Sequence, residues 1–294
     1  MLAPSMIISE LEKIDSTTSF EGTFGKIEYI GTKGYIYDVT NNSDLWEIPI
    51  TVAVHAYVTE VKGESVTLRI DVTMTERDSG AMLPDPFSRN STYVFNKFTL
   101  ENVKDHSDAD KPREGYDPLY PLHLKAGENI TNAWLDNLNI TATLEFKESI
   151  NEEGLTLYKY FVNETITGMT YVPSPIGDLR NCTLTSTKTI LLEPLSGLLV
   201  YTEEEIFDWI WHRKNMPDIA LVYIEYESTA EAKTQGLADA KTAHEALQLA
   251  ELYLPSLLGV IAIILIVSLA FNVRRLKKKA AYPTHNNNRS TKFP

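Results

Sequence analysis

Several side chains could in principle perform catalysis, but none stands at a spacing typical of a known reaction. The histidines show no H-E-x-x-H or other zinc-binding spacing (His55, His106, His123, His212, His244 and His285). The sequence contains no G-x-S-x-G nucleophile elbow, no phosphate loop and no dinucleotide fingerprint. We therefore predict no catalytic residues, no metal site and no cofactor, and we expect that the protein is not an enzyme.

Cysteine and carboxylate chemistry are also poorly supported. Cys182 is the only cysteine, which excludes an intrachain disulfide, and it lies in an alternating segment where a small buried side chain is expected. The acidic run Asp105–Asp110 lacks the D-x-[DN]-x-[DN]-G pattern with a closing glutamate. We interpret this run as a solvated loop, and a weak calcium site there stays open.

Covalent modification is the chemistry that the sequence does favour. N-x-[ST] sequons, the acceptors of N-linked glycans, occur more often than such a composition alone would produce. An accidental origin in a threonine-rich β protein is the alternative, since threonine also favours strands. The sequence predicts an exported glycoprotein modified at Asn41, Asn90, Asn129, Asn139, Asn163 and Asn181.

The stretch 252–273 predicts a transmembrane helix. It contains 22 residues without a charge, and a helix of this length rises about 33 Å, enough to cross a hydrocarbon core of about 30 Å. Pro255 is expected to kink the helix near the membrane surface. The predicted membrane boundaries are marked by Tyr253, Pro255, Arg274, Arg275, Lys277, Lys278 and Lys279.

The charges on the two sides of this span predict its orientation. The tail 274–294 carries seven Lys or Arg and no acid, whereas the rest of the chain carries 20 basic and all 40 acidic residues. Because cytoplasmic flanks are enriched in Lys and Arg, we place the tail in the cytoplasm and the bulk of the chain outside the plasma membrane. A tail-anchored cytosolic protein is the competing topology. The acidic exterior excludes nucleic acid as an expected partner.

The amino end lacks the export signal that this topology requires. Residues 1–9 have neither a basic region nor an apolar run of useful length. We expect either an upstream signal or helix, or a remnant of one within 1–19.

The region before the span predicts a mainly β fold. Val66, Leu68 and Ile70 alternate with polar residues, and Lys62-Gly63 has the composition of a hairpin turn. The same pattern recurs in the second half, which predicts two lobes of antiparallel sheet. Tyr201–Trp211 fits either a strand or a capped helix, and we favour the strand. Thr229–Glu251 is rich in alanine and predicts a helix.

These patterns divide the chain into seven parts. They are an N-terminal segment (1–19), a first β lobe (20–103), an irregular connection (104–135), a second β lobe (136–228), a stalk helix (229–251), a transmembrane helix (252–273) and a basic tail (274–294). A seam of mostly small residues on the stalk, including Gly236, Ala243 and Ala246, predicts close packing against another copy or, preferably, against the β exterior. The neighbouring seam through Leu237, Ala240 and His244 is larger and mixed.

Two predicted strands end in the same E-x-x-S-G turn pattern, which suggests a weak internal duplication. The turn residues are Glu76, Ser79 and Gly80 in the first half, and Glu193, Pro194, Ser196 and Gly197 in the second. Together with Phe20-Glu21-Gly22-Thr23 and the alanine-rich helix before the span, these turns resemble the PorA-like family of membrane-anchored proteins of actinobacteria and archaea. Members usually begin with an additional hydrophobic segment. The resemblance implies no catalytic residues.

From these features we expect a single-pass surface glycoprotein whose two-lobed β exterior is a binding or structural module. Its expected partners are the lipid bilayer, covalent N-glycans, and a cell-envelope protein or a second copy. The alternative is an oligomeric, channel-like assembly in the envelope, because one span cannot enclose water by itself.

Overall fold

A computed structural model of the chain describes residues 27–36, 46–47, 50–76, 79–82, 89–171, 180–212, 218–249 and 251. Several predicted features lie outside these residues, namely the segment 1–19, Phe20–Thr23, Asn41, the span 252–273 and the tail 274–294. Within the described residues, no helix is long and apolar enough to cross a membrane. The predicted span and its orientation therefore stay predictions.

The described residues form a mainly β fold with one long helix, α1 (Ala230–Gln248), as predicted. The strands are β1 (Ile27–Ile36), β2 (Trp46–Glu47), β3 (Ile50–Lys62), β4 (Ser65–Glu76), β5 (Arg89–Asn96), β6 (Ile130–Leu135), β7 (Ile140–Glu152), β8 (Leu155–Tyr171), β9 (Arg180–Leu192), β10 (Leu199–His212) and β11 (Ile219–Ser228).

These strands belong to one antiparallel sheet rather than to two separate ones. The order is β5-β4-β3-β1-β11-β10-β9-β8-β7-β6, and β2 pairs with β1. The halves join where β1 pairs with β11, for example Tyr29 with Ser228. Because β1 and β11 meet in the middle of the sheet, residues that are far apart in the sequence lie side by side.

Two hydrophobic clusters lie under the two halves of this sheet. The first-half cluster centres on Val66, Leu68 and Phe95, and the second-half cluster on Tyr160, Ile190 and Leu192. Each follows from the period-two alternation of its strands, which directs every second side chain to one face. The predicted lobes thus correspond to two clusters on one continuous sheet, and their exact boundaries stay predictions.

Strand β5 ends at Asn96, because the side chain Oδ1 of Asn96 accepts the N–H groups of Phe98 (2.8 Å) and Thr99 (3.2 Å) and turns the chain. The predicted irregular connection 104–135 is wrong over its last six residues, which form β6. The pairing of β6 shifts between Ile130 and Ala133, so its hydrophobic residues do not alternate.

Helix α1 packs on the sheet of its own chain. Thr229 caps the helix, its Oγ1 accepting the N–H of Ala232 at 3.0 Å. The buried face runs through Ala232, Ala240 and Leu247, whereas Ala246 is exposed and Ala243 is half-buried. Docking on the exterior was the preferred alternative and is confirmed. Of the small-residue seam, Gly236 lies against Val200 of β10, whereas Ala246 is exposed. The mixed seam contributes the other contacts, through Leu237 and Ala240 over β8 to β10.

Candidate functional site

The most concentrated group of charged residues lies in the connection between the two halves of the sheet. Its centre is Arg113, whose side chain is only 2% exposed. Its guanidinium donates from Nε to Asp136 Oδ1 (2.8 Å) and from Nη1 to Asp110 Oδ1 (2.7 Å). Nη1 also donates to the carbonyl oxygen of Thr92 on β5 (3.0 Å), and the guanidinium carbon lies 3.8 Å from the centre of the Tyr93 ring. One buried cation therefore ties the connection to β5 and to the turn after β6.

Asp136, in the turn between β6 and β7, accepts from several elements at once. Besides Arg113, its Oδ1 accepts the indole N–H of Trp134 at 3.1 Å and lies 3.0 Å from Lys111 Nζ. Lys111 also donates to Asn139 Oδ1 at 2.8 Å. Burial lowers the pKa of Arg113, but its hydrogen bonds and charge interactions with Asp110, Tyr93 and Asp136 outweigh this effect, so its pKa is raised. Arg113 is therefore cationic across the accessible pH range.

Asp117 differs from the other carboxylates of this cluster, because the cations near it already have carboxylate partners of their own. Of the cations that act on it, Lys188 lies 3.4 Å from Glu205 and Arg113 lies 2.8 Å from Asp136, so each already has a carboxylate partner. Burial raises the pKa of Asp117 to about 7; Lys188 opposes this effect, and Asp136 and Glu205 add to it. The carboxyl group of Asp117 therefore exchanges its proton near neutral pH.

The connection also bonds to both outer strands of the sheet. Next to β5, Val103 donates its N–H to the carbonyl oxygen of Val94 (2.7 Å). Next to β6, Tyr116 donates to Asn132 (2.7 Å) and accepts from Trp134 (2.9 Å) through backbone groups. Both edges are thus partly covered by the chain itself, which limits pairing with strands of other molecules.

A second polar site joins helix α1 to the turn after β9. Glu193 is fully buried, and its carboxylate accepts the N–H groups of Leu195 (3.0 Å) and Ser196 (2.6 Å). The Nδ1 of His244 on α1 lies 2.8 Å from Glu193 Oε1. Gly236 lies so close to β10 that a Cβ atom there would collide with the carbonyl oxygen of Val200. The site is therefore a helix-docking contact, in which each polar group stabilises a turn or a helix position.

The two E-x-x-S-G turns have the same local geometry where both are described. Ser79 Oγ accepts the N–H of Ala81 (3.1 Å), and Ser196 Oγ accepts the N–H of Leu198 (3.3 Å). The following glycines have φ values of 69° at Gly80 and 68° at Gly197, in the left-handed region that favours glycine. Pro194 lies in the second turn, and its carbonyl oxygen accepts the N–H of Leu124 (2.8 Å). The side chain of Glu76 lies outside the described part.

The structure separates the predicted glycan acceptors over different elements. All five sequon asparagines within the described residues are exposed: Asn90 on β5, Asn129 before β6, Asn139 in the β6–β7 turn, Asn163 on β8 and Asn181 on β9. They do not form one cluster. Cys182, beside Asn181, is fully buried in the second-half cluster, as expected.

A row of threonines on β9 (Thr183, Thr185 and Thr187) lies on the face that carries Asn163 and Asn181. Thr165 and Thr185 approach within 3.2 Å through their hydroxyls. Thr183 Oγ1 lies 2.6 Å from His212 Nε2, and His212 Nδ1 lies 2.9 Å from Asp218 Oδ2. This hydroxyl–imidazole–carboxylate series joins β9 to β10 and to the residue before β11.

Sequence reasoning missed Arg113, Asp117, Asp136 and the Glu193–His244 contact. The carboxylate partners of Arg113 lie 3 and 23 residues away in the sequence, and Glu193, the partner of His244, lies 51 residues away. The acidic loop 105–110 was noticed as a calcium candidate. Within the described residues no group of three or more His, Cys, Asp or Glu side chains is arranged to hold a metal ion. The one available signal was the pair of basic residues around Pro112, directly after the acidic run.

Comparison with known proteins supports the family resemblance seen in the sequence. A search of the curated proteins finds no match to this chain. A family profile described as Porin PorA matches residues 12–271, which includes every described strand, helix α1 and most of the predicted span. The chain therefore belongs to the PorA porin family.

Proposed function

We propose that the protein is a single-pass, membrane-anchored component of the cell envelope. In this proposal its glycosylated β exterior acts as a binding or structural module without catalytic activity. The observation that carries the proposal is the exposure of all five sequon asparagines within the described residues. Buried acceptors would exclude glycans on the folded protein, whereas exposed acceptors leave room for them on several elements.

The charge distribution supports the same orientation. The acidic part of the chain precedes the uncharged stretch 252–273, and the basic tail follows it. Membership of a porin family supports a place in the envelope. Helix α1 ends at Gln248, and the predicted span begins at residue 252 of the sequence, so the two segments lie close together along the chain.

The two buried charged sites of the exterior, around Arg113 and around Glu193, favour a structural or binding role over catalysis. The buried charges around Arg113 and Glu193 are engaged with backbone groups and with each other. Such contacts fix the connection and the helix, and they leave no assembled nucleophile and oxyanion site among the residues just named.

The topology is tested by protease protection on intact cells that produce the protein with a tag after Pro294. We expect added protease to remove the exterior and to leave the tagged tail intact, because the tail lies inside. Detergent-permeabilised cells are the control, in which the tail must also be digested. Loss of the tag in intact cells would overturn the orientation.

The second candidate function is an oligomeric, channel-like assembly, favoured by the family description Porin PorA. A single predicted span would need a ring of several copies to enclose a water-filled path. Light scattering of the full chain in detergent micelles measures the number of copies, and conductance in planar bilayers measures the path. A monomer without conductance favours the structural or binding module.

A further inference from the structure

Among the exposed sequons, Asn181 lies in a strand that is paired on both sides, whereas Asn139 lies in a turn. Its strand β9 has a neighbour on each side, and Asn181 pairs with Thr170 of β8 and with His212 of β10. The side chain of Asn181 is exposed, but its backbone lies inside the sheet. Exposure alone therefore does not make this residue reachable for an enzyme that must rearrange the backbone around it.

The other two residues of this sequon are fixed as well. Cys182 is fully buried in the second-half cluster and pairs with Trp211 of β10. The hydroxyl of Thr183, which the sequon requires for recognition, lies 2.6 Å from His212 Nε2. Reshaping the tripeptide would break the pairing on both sides, remove Cys182 from the core and separate Thr183 from His212.

Asn163 on β8 resembles Asn181 in this respect. It pairs with Thr187 of β9, and the hydroxyl of Thr165, the third residue of its sequon, lies 3.2 Å from the hydroxyl of Thr185. Both acceptors therefore lie on the same polar face of β8 and β9.

Asn139 provides the contrast within the same chain. It is exposed in the turn between β6 and β7, with a φ of 54°. Thr141, the third residue of its sequon, is exposed and pairs with Trp134 of β6, the last strand of the sheet. The bond from Lys111 to Asn139 Oδ1 is solvent-exposed. This sequon can therefore change conformation without opening the centre of the sheet.

From this contrast we infer that Asn181 accepts a glycan only before β9 is inserted between β8 and β10. Asn139 stays an acceptor in the folded protein. The inference depends on the proposed glycosylation and specifies its order relative to folding. In the transfer, the amide nitrogen of asparagine bonds to the anomeric carbon of a lipid-linked oligosaccharide. The amide loses a proton, and the lipid phosphate leaves with the electron pair of the broken C–O bond.

The order has a structural consequence for the finished molecule. A glycan on Asn181, added first, extends from the end of β9 once this strand has paired, on the face that also carries Thr183, Thr185 and Thr187. This carbohydrate covers that end of the polar face, so a protein partner must bind away from it.

The experiment uses the full chain, made without glycans and held in detergent micelles. A purified oligosaccharyltransferase and a lipid-linked oligosaccharide are added either to the folded protein or during its dilution from urea. Glycopeptide mass spectrometry then measures the occupancy of each site. A synthetic peptide of residues 178–186 is the control for the intrinsic acceptor quality of this sequence.

We expect similar occupancy of Asn139 in both samples, and at least about tenfold lower occupancy of Asn181 in the folded sample. Equal rates at Asn181 and Asn139 in the folded protein would overturn the inference and leave the proposed glycosylation intact. If the peptide is modified but neither site is modified even from urea, the proposed glycosylation of this exterior fails and the inference fails with it.

Discussion

The side chain of Arg113 is almost completely buried and contacts four different partners. Its guanidinium contacts Asp110, Asp136, the carbonyl oxygen of Thr92 and the ring of Tyr93. Replacing one partner of such a group leaves buried charges without compensation, which costs more free energy than the intact contact contributes. At the residue scale this arginine is therefore the position where a single change should matter most.

We expect Arg113→Met to lower the free energy of unfolding by about 3–5 kcal/mol, because the largely buried Asp136 would lose its bond to the guanidinium and keep Lys111 as its cation. Urea unfolding of the full chain in micelles, followed by tryptophan fluorescence, measures the change. Lys104→Met is the matched control, since Lys104 pairs with Glu114 at an exposed position, and it should leave the unfolding midpoint almost unchanged. Equal midpoints for both variants would show that the buried cluster does not stabilise the fold.

The substitution Asp117→Asn tests whether the raised pKa of Asp117 affects the stability of the protein. The native pKa of Asp117 is about 7, above its ordinary value of 3.8, so the native state binds this proton more tightly than the unfolded state. The resulting contribution to stability is complete below about pH 4 and is lost as the pH rises to about 7. The variant should lack this loss, so relative to the parent it gains stability as the pH rises from about 4 to about 7.

The measurement is the urea midpoint of parent and variant across this pH interval. Asp105→Asn is the control, because Asp105 is exposed and its φ of 57° suits asparagine. Parallel pH profiles of the parent and the Asp117 variant would contradict the raised pKa.

At the scale of elements, strands in which hydrophobic and polar residues alternate could be predicted from the sequence. Strands without this alternation could not. The hairpin of β3 and β4 was predicted because Val66, Leu68 and Ile70 alternate with polar residues, and the structure buries all three. Strand β6 was missed because its burial does not alternate and its pairing shifts between Ile130 and Ala133. Local periodicity reports the burial of one face, and it gives no information on pairing partners.

The contacts of the candidate site join residues that are far apart in the sequence. No local sequence pattern predicts such contacts. Glu193 and His244 lie 51 residues apart, and they meet because α1 folds back over the turn after β9. The docked face of α1 was predicted only in part, for a related reason. Small residues allow close approach, but the contact actually made combines Gly236 with the larger side chains of Leu237 and Leu247.

Overpacking the docked face of α1 tests this arrangement. Ala240 is 1% exposed and packs in a cluster with Leu191 and Val200, so Ala240→Leu should lower the free energy of unfolding by about 1–3 kcal/mol. Ala246→Leu is the matched control on the exposed face of the same helix and should change it by less than about 0.5 kcal/mol. Thermal melting of both variants provides the comparison, and the reverse ranking would show that the small-residue seam makes the contact.

At the scale of the whole molecule, the sheet is organised so that its first and last strands meet internally. β1 pairs with β11, while the outermost strands β5 and β6 are each bonded to the connection between them. Charged and irregular segments beside outer strands reduce uncontrolled pairing between copies. Contacts of the exterior with a partner are therefore expected through faces and loops rather than through strand addition.

The distribution of glycans tests the sidedness of the whole chain, because sequons occur on both sides of the predicted span. In a host with N-glycosylation we expect partial occupancy at the six asparagines of the exterior. Asn288 in the basic tail also matches the sequon, but it should stay bare because the tail lies in the cytoplasm. Glycopeptide mass spectrometry of the native protein measures both sets in one sample, so Asn288 is an internal control. Glycans on Asn288 with a bare exterior would reverse the orientation, and a bare polypeptide throughout would remove the glycoprotein assignment.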